Sequence, residues 1–479
     1  MAALTVIILR RCSTSKMELS HDRFLSVFPL KCLAAVVLCV VALAKVRGQS
    51  GAPDFSSQGS KETLARVLPS TAPTYYRDVL PILRDHCVIC HRTGGIAPIS
   101  FETYEAASRY AYVIRNVTHD KAMPPPFAIP LVGRATNDPS LTPEQVSTLA
   151  AWAKLTAPPG DPRDAPLSHG PPPWSISKPD LIVKMPQPVS IPATGNLEYV
   201  YQIVPTGFAE DRWIQMAEVL PSLPANLLQM MVVIRRPGSR WLRHAPAGTP
   251  FTSAALTGSK DRHWADDDIL IVYAPGKSRQ EFPATMGKFI PAGSDMVFRA
   301  QYIPNGIAGS DQTSVGLAFC KQKPAQRVIT LVLDNDRFTI PPKASDYRVE
   351  ARGDLRRDVV LLSFFPLLHL RGKTFEYDVI RTPNRAGDNH SPEAETLFRI
   401  NYDLRWQPSY SLSEARFLRT GTQLQAVAWY DNSPNNPHNP NPDVAVSWGD
   451  QPRDEVLFGF FDVAIPATIG GYKTLARHR

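Results

Sequence analysis

The feature that most restricts the fold is a change of character at "TAPPGDPRDAPLSHGPPPW", residues 156–174. A stretch so rich in Pro, Gly and Asp forms no packed element and reads as an extended linker, placed here at 158–178. The pattern before it is helical and the pattern after it is strand-like, so one core cannot serve the whole chain. At 479 residues, and about 100–200 residues per domain, roughly three domains are expected.

On the helical side, residues 75–157, "YRDVLPILRDHC" is followed by "ETYEAASRYAYVIRNV", in which Tyr104, Ala107, Ala111 and Ile114 share one face. The last helix is announced by "TPEQVSTLAAWAKL". Thr142 is the cap, Pro143 suits the first turn, Gln145 completes a capping box, and Val146, Leu149, Ala150 and Ala153 form the apolar stripe.

Beyond the linker come short β-like runs such as "EYVYQIVP", "LLQMMVVIRRPG", "DMVFRAQYIPNG" and "VLFGFFDVAI", each ended by Pro or Gly. Many strands with frequent turns indicate β-sandwiches, and some 300 residues suffice for two, divided as 179–337 and 338–479. The 46 prolines fit numerous turns and edge strands. "DNSPNNPHNPNPD", residues 431–443, reads as a rigid surface turn, with calcium or ligand binding as the alternative.

The front of the chain resembles an export signal over residues 1–48, with basic residues up to Lys31, the apolar run "CLAAVVLCVVALA", and small residues near Gly48; a linker at 49–74 follows. The alternative is an uncleaved membrane tether, although the run is shorter than the ~20 residues that span a bilayer. Either way the bulk of the chain is expected in the periplasm or cell envelope. Of the net charge of +8, the front supplies seven Lys/Arg against two Asp/Glu, leaving 45 against 42. That balance predicts no nucleic-acid partner. Cys12, Cys32 and Cys39 belong to the front, so Cys87, Cys90 and Cys320 remain and no disulfide framework is available.

Cys87, Cys90 and His91 in "DHCVICHR" read C-x-x-C-H, the attachment signature of a c-type haem. Two thiols on one turn can each form a thioether to a haem vinyl group, while the adjacent imidazole reaches the iron. A zinc site would want a second cysteine pair, and a thioredoxin-like motif would want a βαβ setting. For the sixth iron position the only methionine in the helical segment is Met123, in "KAMPPPFA", with His119 and then His86 as competitors. Methionine and histidine ligation together suit electron transfer. Core packing is the plain alternative for Met123.

The residues then carry a resemblance. "YYRDVLPILRDHCVICHR", "AMPPPFA", "IPAGSDMVF", "LHLRGKTFEYDV", "DNSPNNPHNPNPD" and "FGFFDVA" make residues 75–466 similar to bacterial proteins that join a cytochrome c domain to a region like the copper type II, ascorbate-dependent monooxygenases, the family of peptidylglycine α-hydroxylating monooxygenase. The resemblance implies a small all-α cytochrome c domain followed by two all-β jelly-roll-like sandwiches, each giving one copper site across a solvent cleft. The implied first-site ligand positions fall on Leu228, Gln229 and Gln301; those of the second fall on Leu367, His369 and Val456, with Leu368 between them. Leucine and valine offer copper no lone pair, so of the implied ligands only His369 survives. Met230 and Met231 alternate along a strand and are expected to pack, and His244, His263 and His438 show no pair spacing. No H-E-x-x-H, G-x-S-x-G or P-loop motif occurs.

The expected function is electron transfer by an exported c-type cytochrome to a separate redox protein. The sandwiches would serve as a docking module or hold a small molecule in their cleft. The second expectation, of another class, is a haem-fed copper monooxygenase whose metal ligands lie elsewhere.

Overall fold

The computed structural model describes residues 72–478, apart from 94, 126–134, 136, 167–173, 177, 253–268, 278, 382–392, 450 and 469–474. The export signal, nearly all of the 49–74 linker, Cys12, Cys32, Cys39 and His263 lie outside the described residues. Among the described residues no helix is long and apolar enough to cross a membrane.

The first part is helical. A π-helical turn, Tyr75–Val79, runs into α1, Leu80–His86; α2 is Tyr104–Arg109, α3 Ala111–His119 and α4 Pro143–Lys154. Val79, Leu83, Ala107, Ala111, Ile114, Leu149 and Trp152 share one core. The face drawn through Tyr104, Ala107, Ala111 and Ile114 therefore turns inward. At α4 the Thr142 hydroxyl accepts from Gln145 N and the Gln145 side chain accepts from Thr142 N, a complete capping box. The residue that anchors α4 deepest is Trp152, outside the expected stripe. Its indole donates to Pro158 O at 3.0 Å, which pins the start of the linker under the helix.

The rest is β. The strands are β1 Leu181–Lys184, β2 Val189–Ile191, β3 Val200–Pro205, β4 Arg212–Leu220, β5 Leu227–Arg235, β6 Phe251–Thr252, β7 Ile269–Tyr273, β8 Arg279–Glu281, β9 Met286–Ile290, β10 Asp295–Tyr302, β11 Gly309–Asp311 and β12 Ser314–Phe319. They continue as β13 Gln326–Asp334, β14 Thr339–Ile340, β15 Tyr347–Leu355, β16 Val359–Leu367, β17 Gly372–Arg381, β18 Glu393–Asn401, β19 Tyr410–Leu418, β20 Gln423–Tyr430, β21 Val446–Ser447, β22 Phe458–Pro466 and β23 Leu475–His478.

Two five-stranded sheets, β6-β3-β10-β5-β7 and β18-β17-β20-β15-β23, face opposite halves of a nine-stranded sheet ordered β1-β12-β4-β9-β13-β22-β16-β19, with β8 on β4. The halves meet at β9 and β13, which share two parallel pairs, Gln326 with Met286 and Arg327 with Gly287. Each half makes a sandwich with its own core.

A third core lies between the sandwiches, and strand alternation builds it. In β10, Met296, Phe298, Ala300 and Tyr302 enter the first sandwich while Val297 turns to the interface; in β5, Met230, Val232 and Ile234 go inward while Met231 and Val233 go outward. On the other side, β22 sends Phe461, Val463 and Ile465 into the second sandwich and Phe458 and Phe460 to the interface. Both methionines of "LLQMMVVI" thus pack, on opposite faces. The whole of β13 pairs with β22, and Ile329, Leu331 and Leu333 enter the second core. The second sandwich therefore begins at residue 326, ahead of the 337/338 division read from the sequence.

Candidate functional site

The C-x-x-C-H motif stands where α1 ends. Cys87 caps the helix, donating its N–H to Leu83 O, and the amides of Cys90 and His91 both return to Cys87 O, at 3.1 and 2.9 Å. One loose helical turn thus carries both thiols and the imidazole. Burial pushes the Cys87 thiol up to about 12, with Cys90 adding to it, and the Cys90 thiol up to about 11 against the opposing pull of Arg92. Both are protonated at neutral pH, and Val88 beside them belongs to the helical core.

His91 is held on two sides. Its ring stacks on Phe101 with centroids 4.5 Å apart, and Nδ1 lies 2.9 Å from Ile99 O. A carbonyl only accepts, so Nδ1 is the donor, and in the neutral ring this tautomer leaves the lone pair on Nε2. A backbone carbonyl on the far ring nitrogen is the usual means of orienting a metal-binding imidazole.

The residues expected to compete as a second iron ligand separate clearly. The Nδ1 of His86 donates to Pro139 O at 2.9 Å and its Nε2 meets Gln145 Nε2 at 3.1 Å, so both ring nitrogens are engaged. His119 is exposed and paired with Asp120 at 3.0 Å. Met123 is not in the core: it is 42% exposed, and its amide donates to Val117 O at the end of α3. Among the described residues, Ile89, Tyr112, Val113 and Met123 make up half of the large apolar side chains left exposed. Two thiols and an imidazole held through Nδ1, all on one turn, are a donor set that fits a covalently attached haem.

The copper-like positions have a different fate. Leu228, Gln229, Gln301, Leu367, Leu368, His369 and Val456 are all buried. His369 lies in the turn between β16 and β17. Its amide donates to Glu455 Oε2 at 3.0 Å, and its Nδ1 to Asp454 O at 3.1 Å. Across the interface its Nε2 is 3.3 Å from Gln229 Nε2, and the same Gln229 amide bonds to Tyr199 and Gln301. The two sandwiches touch here, so the cleft expected to admit a small molecule is closed at these residues. Among the described residues no group of three or more His, Cys, Asp and Glu side chains is placed to hold a metal ion.

Glu455 is buried and pushed up to about 7, because burial outweighs the bonds from the Arg371 and His369 amides. Arg371 links this turn to the 431–443 loop, donating Nε to Asn432 Oδ1 at 2.9 Å. Asn432, Asn436 and Asn439 turn their amides back onto the loop and its neighbours, in keeping with a rigid turn.

A second polar cluster in the interface was not foreseen. Asp462 accepts from Gln280 Nε2 at 2.6 Å, Thr330 Oγ1 at 2.6 Å and Ser363 Oγ at 2.7 Å. Lys288 Nζ donates to Ile269 O, Leu270 O and Thr330 Oγ1, and lies 3.9 Å from Asp462. Lys277 Nζ sits 4.1 Å over the ring of Phe365. Burial lowers both lysines to about 8; at Asp462 burial is opposed by these two ammonium groups and by the Thr330 and Ser363 hydroxyls, which together hold it below the ordinary range. The only signal in sequence was polar residues inside otherwise apolar strands, which read equally well as solvent-facing.

No protein-family model matches the sequence, and no curated protein does. Among solved structures the chain is similar to PNGase F, a glycosylasparaginase from Flavobacterium meningosepticum, at 10% identity over 63% of this chain and 100% of that one, with a TM-score of 0.29. It is also similar to the major capsid protein P2 of bacteriophage PM2, at 9% identity over 61% of this chain and 100% of that one, TM-score 0.23. A third is the structure of the infectious bursal disease virus Gx strain, at 8% identity over 64% and 76%, TM-score 0.18. Scores this low carry no argument about fold or function.

Proposed function

We propose that the chain is an exported c-type cytochrome that passes electrons to a separate protein, with residues 75–157 as its cytochrome c domain and the two sandwiches as a body related to the copper type II monooxygenases but without their metal sites. The observation that carries this reading is the His91 Nδ1 bond to Ile99 O, which leaves Nε2 free beside two thiols of the same turn. A haem bound here would supply a reversible one-electron couple. Cys87 and Cys90 would fix it, His91, oriented by Ile99 O and Phe101, would hold the iron, and Met123 would be the candidate sulfur donor. A methionine donor paired with histidine would suit electron transfer.

The companion reading, a haem-fed copper monooxygenase, finds no support at the residues where its ligands would stand. Leu228, Leu367 and Val456 have no lone pair, and His369 already meets Asp454 O and Gln229. A partner protein is proposed in place of an internal acceptor.

The deciding experiment is metal and haem content of the full chain, produced in a host that attaches haem, incubated with excess copper and desalted. The expected result is one haem per chain that stays bound under denaturing conditions, lost in the Cys87→Ala, Cys90→Ala double variant, with copper near zero. Iron absent, or removable by denaturation, would sink the cytochrome reading; one or two retained coppers per chain would restore the oxygenase.

A further inference from the structure

The segment between α3 and α4 touches the second sandwich at two points. The amide side chain of Asn137 grips the edge of the second sandwich with both of its groups: Nδ2 donates to Ser409 O at 2.6 Å, and Oδ1 accepts from Ser411 N at 3.0 Å. Ala135 forms a β-bridge with Leu412 of the same strand, β19. Two residues beyond Asn137, Pro139 O accepts from Nδ1 of His86, the residue directly before Cys87. His86 is in turn held by Gln145, the capping residue of α4.

A path of four residues therefore leads from β19 through Asn137 and Pro139 to His86 and the turn that bears Cys87, Cys90 and His91. Met123 itself is tied at its amide to Val117 O. The Asn137 contacts join residues more than 270 positions apart in the chain, so they form only when the second sandwich is folded.

We propose that Asn137–Pro139 is a strut by which the edge of the second sandwich holds the candidate haem turn in place, with Asn137 and His86 as positioning residues. The proposal rests on the reading of Cys87, Cys90, His91 and Met123 as the haem site. Of the proposed donors Met123 would be held most weakly, since a neutral sulfur gives way before an imidazole or a covalent thioether link does. Loosening the strut should register there first. It gives the sandwiches a role in the redox centre beyond docking: they set the order of its ligands.

The test compares full-length, haem-loaded wild type with Asn137→Ala, His86→Leu and His86→Gln, the last able to donate to Pro139 O through its amide. In Asn137→Ala and His86→Leu, haem per chain should be unchanged. The long-wavelength charge-transfer band of sulfur-bound ferric iron should weaken, and the midpoint potential should fall; His86→Gln should recover part of both. An unaltered band and potential in Asn137→Ala would overturn the proposal.

Hydrogen exchange at the Cys90 and His91 amides reads the strut independently of haem. It should speed up in Asn137→Ala, and equal rates would likewise overturn the strut. Absence of covalent haem in wild type would instead count against the haem-site reading, with the exchange result still deciding the strut.

Discussion

At the scale of single residues, the interface lysines show a cost that the fold carries. The Lys277 ammonium lies over the face of Phe365, and burial, only partly opposed by Asp462, lowers it from the ordinary 10.5 to about 8. Between these two values the unfolded chain binds more protons at this group than the folded one, so its cost to stability is full below about pH 8 and fades as pH rises toward 10.5. Lys277→Met should therefore stabilise the protein at pH 7, by about 1–3 kcal/mol once the lost contact with Phe365 is discounted. The advantage should shrink at pH 10. Urea midpoints at the two pH values would show it, and a destabilised variant at pH 7 would contradict the account. At the proposed haem site the corresponding residue is Met123. Met123→Ala should open the iron to added imidazole or cyanide and lower the potential, whereas His119→Ala should change neither; an optical titration distinguishes them.

Elements bring a second kind of consequence. The capping box of α4 satisfies two amides at the helix start, and Thr142→Ala should cost about 1 kcal/mol. The same helix holds His86 through Gln145, so the loss should also loosen the C-x-x-C-H turn. Phe460 lies in β22, 1% exposed, at the interface between the sandwiches. Phe460→Ala should cost about 3–5 kcal/mol, as for other large aromatic truncations in cores. Thermal or urea unfolding of each variant gives the comparison, and a loss at Phe460 no greater than at Thr142 would mean that the interface is not a true core.

For the molecule as a whole, the third core ties the two sandwiches into one body. A fragment ending at residue 337 would leave β13 without β22 and would uncover Tyr201, Met231, Val233 and Val297. Such a fragment should aggregate, because an apolar face of that extent is not left to solvent in a stable monomer. Gel filtration of the fragment tests this, and a monodisperse, cooperatively unfolding species would argue for independent sandwiches.

Much of this protein was legible in its residues. The switch from helix to strand at the proline-rich linker, the capping box at Thr142, the inward face of Ala107, Ala111 and Ile114, and the opposed packing of Met230 and Met231 follow from local chemistry and from the 3.6 and 2.0 residue periods. The C-x-x-C-H spacing, whose chemistry the haem proposal supplies, needs only neighbours in sequence. What stands around that chemistry was not legible. Arg299 and Gln301 alternate with apolar residues in β10 and look solvated by period alone, yet they are buried, because a second sandwich covers that face. Gln229 and His369, 140 residues apart, meet only there, and Asn137 finds Ser409 and Ser411 only across the assembled fold. Period and motif fix which side of a strand or turn a residue takes; whether that side meets water, a ligand or another sheet is decided by contacts between distant segments, and no local pattern encodes them.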